Sequence, residues 1–381
     1  MFLLKLLREY IFPISMLSGT IIGVGLFSLP YITLKVGFWV ILLYFLFLGG
    51  VTVLLHLIFA ELSLKTPDFK RFPGFAKIYL GKPGEITAYF STILGILGSL
   101  LAYLIVGGEF LESLFVPFFG GSNLFYTFIY FAIGVFIIFF GIKAVASVQF
   151  WGLILFFITL FWMFWRGLSV IEISNLFNTP DIKNIFLPYG AILFSLWGAT
   201  LIPEVEEMLG SHKKNFKKIV LISILIPIFI SIFFIILILG ITGEYTTESA
   251  LTGLKDYLGN GVVSLLLFFG VLTTFTSFVA LGLTLKNVLM FDLRIKKINA
   301  FIIAGLSPMI LFLLGLKSFI SVISFIGGVF LGIDGILILL MYRKSILNRL
   351  GFLQTKTKIL IYSLAVFLVL GIAYQIIYFL E

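Results

Sequence analysis

Long apolar stretches separated by short polar segments recur along the whole chain. Each stretch holds at least 18 residues, enough for a helix to cross the ~30 Å hydrocarbon core of a bilayer. The stretches lack the apolar/polar alternation of a membrane β-barrel, so helices are expected. We predict an all-α integral membrane protein with about eleven transmembrane spans. Spans 1 to 11 are predicted at residues 10–35, 37–64, 84–108, 123–141, 144–166, 186–208, 218–241, 260–291, 299–316, 318–342 and 357–380.

Spans 1 and 6 carry glycines near their centres. Span 1 has Gly19, Gly23 and Gly25 within seven residues, and span 6 has Gly198 among small polar residues. Each glycine weakens a helix by about 1 kcal/mol relative to alanine and lets the backbone approach a ligand. Glycines can also serve only to bring membrane helices close together. Because the cluster in span 1 has a counterpart in span 6, we predict that both helices are broken at mid-membrane.

The two segments share a spacing between glycine and proline. Gly25 precedes Pro30 by five residues, and Gly198 precedes Pro203 by five. Corresponding breaks in spans 1 and 6 fit an inverted repeat of five plus five helices, and such paired segments mark a transporter's binding site. We predict one transmembrane domain whose two repeats are followed by an extra helix. The domain covers residues 1–381, the repeats 1–166 and 186–342, and the extra helix 357–380.

Basic residues are distributed unevenly between the two sides of the predicted membrane. With the N-terminus placed in the cytoplasm, 21 of the 26 Lys and Arg residues fall inside and 5 fall outside. Such a bias sets orientation, so we predict a multi-pass protein of the cell membrane with its N-terminus cytoplasmic and its C-terminus outside. The net charge of +9 then reflects topology and contact with anionic lipid. A nucleic-acid partner is not expected, because no basic stripe is separated from the spans.

Composition excludes several kinds of chemistry. Hydrophobic residues make up 61% of the chain and charged residues 11%, far from the balance of a soluble domain. The chain has no cysteine and only two histidines, and it carries no phosphate loop or catalytic set. We therefore expect no enzyme activity, no organic cofactor and no obligate protein partner. The N-terminal segment has no small-residue cleavage site, so we expect span 1 to be retained.

An unwound backbone at mid-membrane determines what the breaks can bind. Its free N–H and C=O groups persist only where a ligand, an ion or water satisfies them. The N-terminal ends of half-helices favour a carboxylate, and the C-terminal ends favour a cation or an ammonium group. A zwitterionic amino acid presents both charges. Since no Asp, Glu, Lys or Arg lies between Tyr10 and Leu34, the backbone itself would bind it.

Four segments resemble motifs of the amino acid–polyamine–organocation superfamily, in its amino acid/auxin permease and aromatic/hydroxy amino acid permease branches. They read SGTIIGVGLFSLP (18–30), AYLIVGG (102–108), PYGAILF running on to IPE (188–204), and TSFVALG followed by LK and D (276–292). The resemblance covers nearly the whole chain in span number and order. It implies the fold of the sodium-coupled neurotransmitter and leucine transporters, and transport of an amino acid.

The resemblance implies a substrate site at the two breaks. Amides of span 1 would hold the substrate carboxylate, and carbonyls of both spans would hold its amine. Tyr103 would add a hydroxyl from span 3, unless it is an ordinary packing residue, and Phe194 and Trp197 would close over the side chain. The amide set is Gly23, Val24 and Gly25, the carbonyl set is Thr20, Ile21, Phe194 and Ser195, and Gly198 completes the span 6 break.

The resemblance also implies a sodium site between the span 1 break and span 8. Its oxygens would be the carbonyls of Gly19, Ile22 and Thr273 and the hydroxyls of Thr276 and Ser277. The last three residues are spaced i, i+3 and i+4 and so share one helix face, and five oxygens suit a hard cation. The alternative is that these hydroxyls bond only to the backbone or across helices.

Several positions bear on the driving ion. By the same resemblance, Phe156 stands where some relatives have a lysine in place of sodium, so a lysine mechanism is not expected. Leu26 stands where a second sodium site would need an amide side chain, so a second site is not expected. Proton coupling is the rival hypothesis, because the bacterial aromatic/hydroxy amino acid permeases that the chain resembles use it. Ionisable residues at membrane depth are candidates for that function. Those residues are His56, Glu109, Glu204 and Asp334, of which His56 also suits a hydrogen-bonded packing role. Lys5 or Arg8 is a candidate partner of Asp292 in an inner gate, and the alternative is that these side chains are unpaired and contact lipid headgroups.

These observations predict a secondary active transporter that imports an amino acid by sodium symport, with alternating access around the two breaks. A proton-coupled permease is the first alternative. A membrane sensor that binds an amino acid without moving it is an alternative of another class. A sensor normally needs an output domain, and the predicted loops are short.

Overall fold

The structure, a computed structural model, is all-α as predicted. The described residues form helices joined by loops and contain no strand. They comprise residues 7–66, 70–140, 145–177, 181–210, 212–346 and 353–380.

Most of the predicted spans are single helices whose ends lie within a few residues of the predicted bounds. Their ends agree because apolar runs stop where polar residues begin. The helices are Phe38–Lys65 for span 2, Asn123–Phe140 for span 4, Val145–Gly167 for span 5, Phe216–Thr242 for span 7, Lys297–Leu313 for span 9 and Leu353–Leu380 for span 11.

Three spans contain irregular turns. Span 3 belongs to a longer helix than predicted, Phe72–Phe119, which is bent at Gly81. Gly81 has φ of +76°, a conformation that glycine adopts without a steric penalty, so a short first segment is set off from the span. The other two spans include π-helical turns. Span 8 is Asn260–Asn287 followed by the turn Val288–Asp292, and span 10 is Phe319–Phe325, the turn Ile326–Leu331 and Gly332–Ile346.

Spans 1 and 6 are broken, as predicted. Span 1 divides into Phe12–Ile21 and Gly25–Val36, and its two halves meet at an angle of 51°. Span 6 divides into Pro188–Leu196 and Ile202–Leu209, with a single 3₁₀ turn, Ala199–Leu201, between them. Each break leaves backbone groups that no helical partner can satisfy.

The shared glycine–proline spacing does not place the two prolines alike. Gly25 opens the second half of span 1, so Pro30 lies inside that helix. Gly198 precedes the second half of span 6, so Pro203 lies in its first turn, where proline is well tolerated. The spacing therefore located the two breaks without describing their geometry.

Length and composition alone assign six of the described helices to the membrane, and the bent pair of span 1 makes a seventh. Three shorter apolar helices lie at the positions of predicted spans 4, 5 and 9. The broken span 6 completes the series. The arrangement of the described helices is consistent with eleven spans.

The buried apolar side chains form two clusters that meet at the breaks. In span 1, Val24 belongs to the first cluster and Ile21 to the second. In span 6, Leu196 belongs to the first and Trp197 to the second. Both breaks therefore lie where packing passes from one cluster to the other.

Candidate functional site

The backbone of span 1 leaves its helical path at residues 22–24. The Gly23 N–H donates to the Ile21 carbonyl at 2.8 Å. The Val24 N–H donates instead to the hydroxyl of Tyr103 at 3.3 Å. Of the groups predicted to meet the substrate, one amide and one carbonyl thus bond to each other, and a second amide turns toward span 3.

Tyr103 lies at the centre of this arrangement. Its side chain is 5% exposed, and its hydroxyl group contacts both the Val24 N–H and the Ser277 hydroxyl of span 8. A Cβ atom on Gly23 would lie only 2.2 Å from the Tyr103 hydroxyl oxygen. Tyr103 therefore joins spans 1, 3 and 8, and its position requires glycine at residue 23.

The two breaks pack directly on each other. A Cβ on Gly25 would lie 2.6 Å from the Ser195 hydroxyl oxygen and 2.9 Å from the Phe194 ring. A Cβ on Gly198 would lie 2.7 Å from the Ile21 side chain. The glycines of both breaks thus allow the predicted substrate residues of spans 1 and 6 to form one contiguous set.

Two predicted substrate residues have other contacts. The Thr20 hydroxyl donates to the Met16 carbonyl one turn back, at 2.9 Å. The Trp197 ring lies edge-on to the ring of His56 on span 2, with centroids 5.4 Å apart. Trp197 is therefore placed beside span 2, and its closure over a substrate side chain stays a prediction.

The predicted ion site and the span 1 break face one cavity. Gly23, Val24 and Tyr103 form part of its wall, and Phe156 of span 5 forms another part. Thr274, which sequence analysis did not select, also lines it. The structure thus brings together segments of spans 1, 3, 5 and 8. The whole predicted ion set lines the same cavity: Gly19, Ile22, Thr273, Thr276 and Ser277.

The threonine hydroxyls of span 8 that line the cavity bond back to their own helix. The Thr276 hydroxyl donates to the Thr273 carbonyl at 3.0 Å, and the Thr273 hydroxyl donates to the Phe269 carbonyl at 2.9 Å. Each bond uses the hydroxyl proton and leaves the oxygen lone pairs free to accept. Backbone bonding and cation binding are therefore compatible at Thr276.

The donor set suits a singly charged cation. The described residues that line the cavity include carbonyl and hydroxyl groups and no carboxylate. A divalent ion normally takes carboxylate ligands, and no group of three or more His, Asp or Glu residues that could hold a metal occurs in the described part of the chain.

The carboxyl groups predicted at membrane depth have separate surroundings. Asp334 on span 10 is 1% exposed and accepts a hydrogen bond from the Ser91 hydroxyl of span 3 at 2.5 Å. Glu109 accepts from the Ser249 hydroxyl at 2.7 Å. The Oε2 atom of Glu204 is buried and has no hydrogen-bond partner among the described residues. Among the described residues lining the cavity, none of these three appears.

Asp292 of the predicted inner gate pairs with a basic residue near span 3. Asp292, at the end of span 8, accepts from Arg71 Nη1 at 3.0 Å. Lys5 and the side chain of Arg8, the expected partners, lie outside the described residues. Arg71 immediately precedes the helix of span 3, so this ion pair joins the adjacent ends of spans 3 and 8.

Comparison with known proteins finds relatives along the whole chain. The profile of the tryptophan/tyrosine permease family matches residues 8–379. The tyrosine-specific transport system 1 of Haemophilus influenzae is 26% identical over 342 residues, which covers 83% of each protein.

Solved structures of low sequence identity have the same fold. MhsT in complex with L-phenylalanine gives a TM-score of 0.69 at 18% identity, covering 97% of this chain and 99% of that one. Mhp1, a nucleobase–cation symport transporter solved in a closed conformation with bromovinylhydantoin, gives a TM-score of 0.65 at 12% identity. The match covers 97% of this chain and 90% of that one. These similarities confirm the fold predicted from the sequence.

Proposed function

Because the chain belongs to the tryptophan/tyrosine permease family, we propose that it imports an aromatic amino acid together with sodium. The observation that supports this proposal is a single cavity shared by the span 1 break, Tyr103 and the five-residue oxygen set. A substrate and an ion bound in one cavity influence each other's affinity, which symport requires.

The substrate carboxylate binds at the N-terminal end of the half-helix Gly25–Val36. A helix N-terminus carries a partial positive charge of about +0.5, and the Val24 N–H already points to the acceptor oxygen of Tyr103 there. The amine binds at the C-terminal ends of Phe12–Ile21 and Pro188–Leu196, where the last carbonyls have no helical donor. The two charges of an amino acid thus meet groups of opposite polarity across the breaks.

Sodium binds beside the substrate, between the span 1 break and span 8. The ion neutralises part of the negative charge that the carboxylate brings into the cavity, so each makes the other easier to bind. The breaks lie where the two buried clusters meet. Tilting of the half-helices at these breaks gives access first from one side and then from the other.

Transport into proteoliposomes tests the proposal. Labelled L-tyrosine and L-tryptophan are supplied with an imposed sodium gradient or an imposed proton gradient. We expect the sodium gradient alone to drive accumulation, and we expect Thr276→Ala to abolish most of it. Thr284→Ala is the matched control, because the Thr284 hydroxyl lies on the same helix and donates to the Ala280 carbonyl at 3.0 Å. Accumulation that needs no sodium would contradict the sodium proposal.

The second candidate is proton coupling, and the enclosed Asp334–Ser91 pair favours it. A carboxyl group buried at membrane depth is a candidate proton carrier. Asp334→Asn keeps the size of the side chain and an acceptor oxygen, but its amide cannot bind and release a proton during transport. Under proton coupling this variant loses gradient-driven uptake, whereas under sodium coupling it keeps sodium-driven uptake. Binding of an aromatic amino acid with no flux under either gradient would indicate a sensor.

A further inference from the structure

The break in span 6 leaves one backbone N–H that a side chain from another span satisfies. The Trp197 N–H reaches the Phe194 carbonyl at 3.5 Å, a long hydrogen bond. The next amide, that of Gly198, points away from its own helix and donates to His56 Nε2 on span 2 at 2.9 Å. His56 is fully buried, at 0% exposure, so water does not compete for this bond.

The second ring nitrogen of His56 is also engaged. Its Nδ1 atom lies 2.7 Å from the Thr52 carbonyl oxygen one turn earlier on span 2. A carbonyl only accepts, so Nδ1 carries the hydrogen, and a backbone N–H only donates, so Nε2 carries none. The two partners therefore fix the neutral Nδ1–H tautomer. A proton on Nε2 would place two donors against each other and break the bond to Gly198.

Gly198 is held from two sides at this point. A Cβ atom there would lie 2.7 Å from the Ile21 side chain and 2.9 Å from that of Leu17. The first half of span 1, Phe12–Ile21, therefore packs closely against Gly198 on one side. The imidazole of His56 holds the amide from span 2. This contact lies at the boundary between the two buried clusters, where the path of span 6 changes direction.

We propose that neutral His56 is a positioning residue that fixes the shape of the span 6 break. By accepting the Gly198 N–H, it sets the direction of the chain immediately after the carbonyls of Phe194 and Ser195. These carbonyls face the substrate amine in the proposed function, on which this inference rests. His56 thus acts on substrate affinity through span 6 and does not itself carry a proton or touch the substrate.

Two substitutions separate this role from simple packing. His56→Gln keeps an acceptor oxygen at about the reach of Nε2, and His56→Leu fills similar space with no acceptor. For L-tyrosine uptake we expect His56→Leu to raise KM about tenfold, the size of effect that one unsatisfied buried donor gives. His56→Gln should restore KM to within about threefold of the wild type. His212→Gln, the same change at the other histidine, should leave KM unchanged.

Equal impairment by the glutamine and leucine variants would overturn the proposal, as would a wild-type KM for His56→Leu. A spectroscopic readout covers the case in which the leucine variant does not fold. In the His212→Gln protein labelled with ¹⁵N-histidine, His56 is the only histidine, and at pH 7 its NMR spectrum should show a protonated Nδ1 and an unprotonated Nε2. A proton on Nε2 would overturn this inference. The NMR measurement needs no substrate, so it tests the state of His56 separately from transport. Absence of tyrosine uptake by the wild type would contradict the proposed function and would leave the NMR result on His56 unaffected.

Discussion

At the scale of single residues, the site depends on a tyrosine hydroxyl that links three spans. Tyr103→Phe removes the group that contacts Val24 and Ser277. In the proposed function the Tyr103 hydroxyl also donates to the substrate carboxylate. Since a hydrogen bond to a charged group contributes about 1.5–3 kcal/mol, we expect KM for L-tyrosine to rise about tenfold or more. Tyr126→Phe is the control, because the Tyr126 hydroxyl donates to the Gly120 carbonyl away from the cavity. Equal KM values for the two variants would contradict a role of Tyr103 in binding.

The contact between Tyr103 and Gly23 gives a second prediction. In Gly23→Ala the new methyl group would lie 2.2 Å from the hydroxyl oxygen, whereas the next ring atom is 3.4 Å away. Overpacking of this kind costs about 1–3 kcal/mol, so we expect a lower melting temperature in detergent. Adding Tyr103→Phe removes the close atom and should recover most of the loss. Strictly additive losses in the double variant would show that the two residues do not press on each other.

At the scale of the elements, spans 6 and 10 are in backbone contact. A Cβ on Gly327, in the π-helical turn of span 10, would lie 1.8 Å from the Gly190 carbonyl oxygen. A backbone atom cannot move aside as a flexible side chain does. We therefore expect Gly327→Ala to lower thermal stability by about 3 kcal/mol, the upper end of the usual cost of overpacking. Gly50→Ala, with nothing within 4 Å of its Cβ, is the control and should be neutral or stabilising. A melting temperature equal to that of the control would refute this contact.

The helices and the two broken spans could be predicted from the sequence. Apolar runs predicted the helices, because the bilayer dictates their length. Glycines at residues 23, 25 and 198 predicted the broken spans, because a break needs residues that tolerate close backbone approach. The bounds of the half-helices were not predictable in the same way. Pro30 and Pro203 have the same spacing from a glycine, yet Pro30 lies inside a helix and Pro203 lies in the first turn of one.

Contacts between distant spans could not be predicted, because they depend on how each helix is rotated about its axis. The hydrogen bond from Gly198 to His56 joins residues 142 positions apart in the sequence. The hydrogen bond from Val24 to Tyr103 joins residues 79 positions apart. Arg71 pairs with Asp292 across 221 positions. Sequence patterns select residues of suitable chemistry on each helix, and the packing of helices decides which of them meet.

Across the whole molecule, the proposed function requires that one cavity hold both an aromatic amino acid and sodium. The Gly25–Val36 half-helix supplies its positive end, span 3 supplies Tyr103, and span 8 supplies Thr276 and Ser277. If both ligands occupy this cavity, thermodynamic linkage requires that each change the affinity of the other by the same factor. Sites in unconnected parts of the molecule would have no such direct coupling.

Equilibrium binding to the purified protein tests whether the two ligands share this cavity. The affinity for labelled L-tyrosine is measured in sodium and in choline, and the sodium affinity is measured with and without L-tyrosine. We expect sodium to tighten tyrosine binding at least about tenfold, within the usual range of coupling, and tyrosine to tighten sodium binding by the same factor. The same tyrosine affinity in sodium and in choline would contradict a shared cavity.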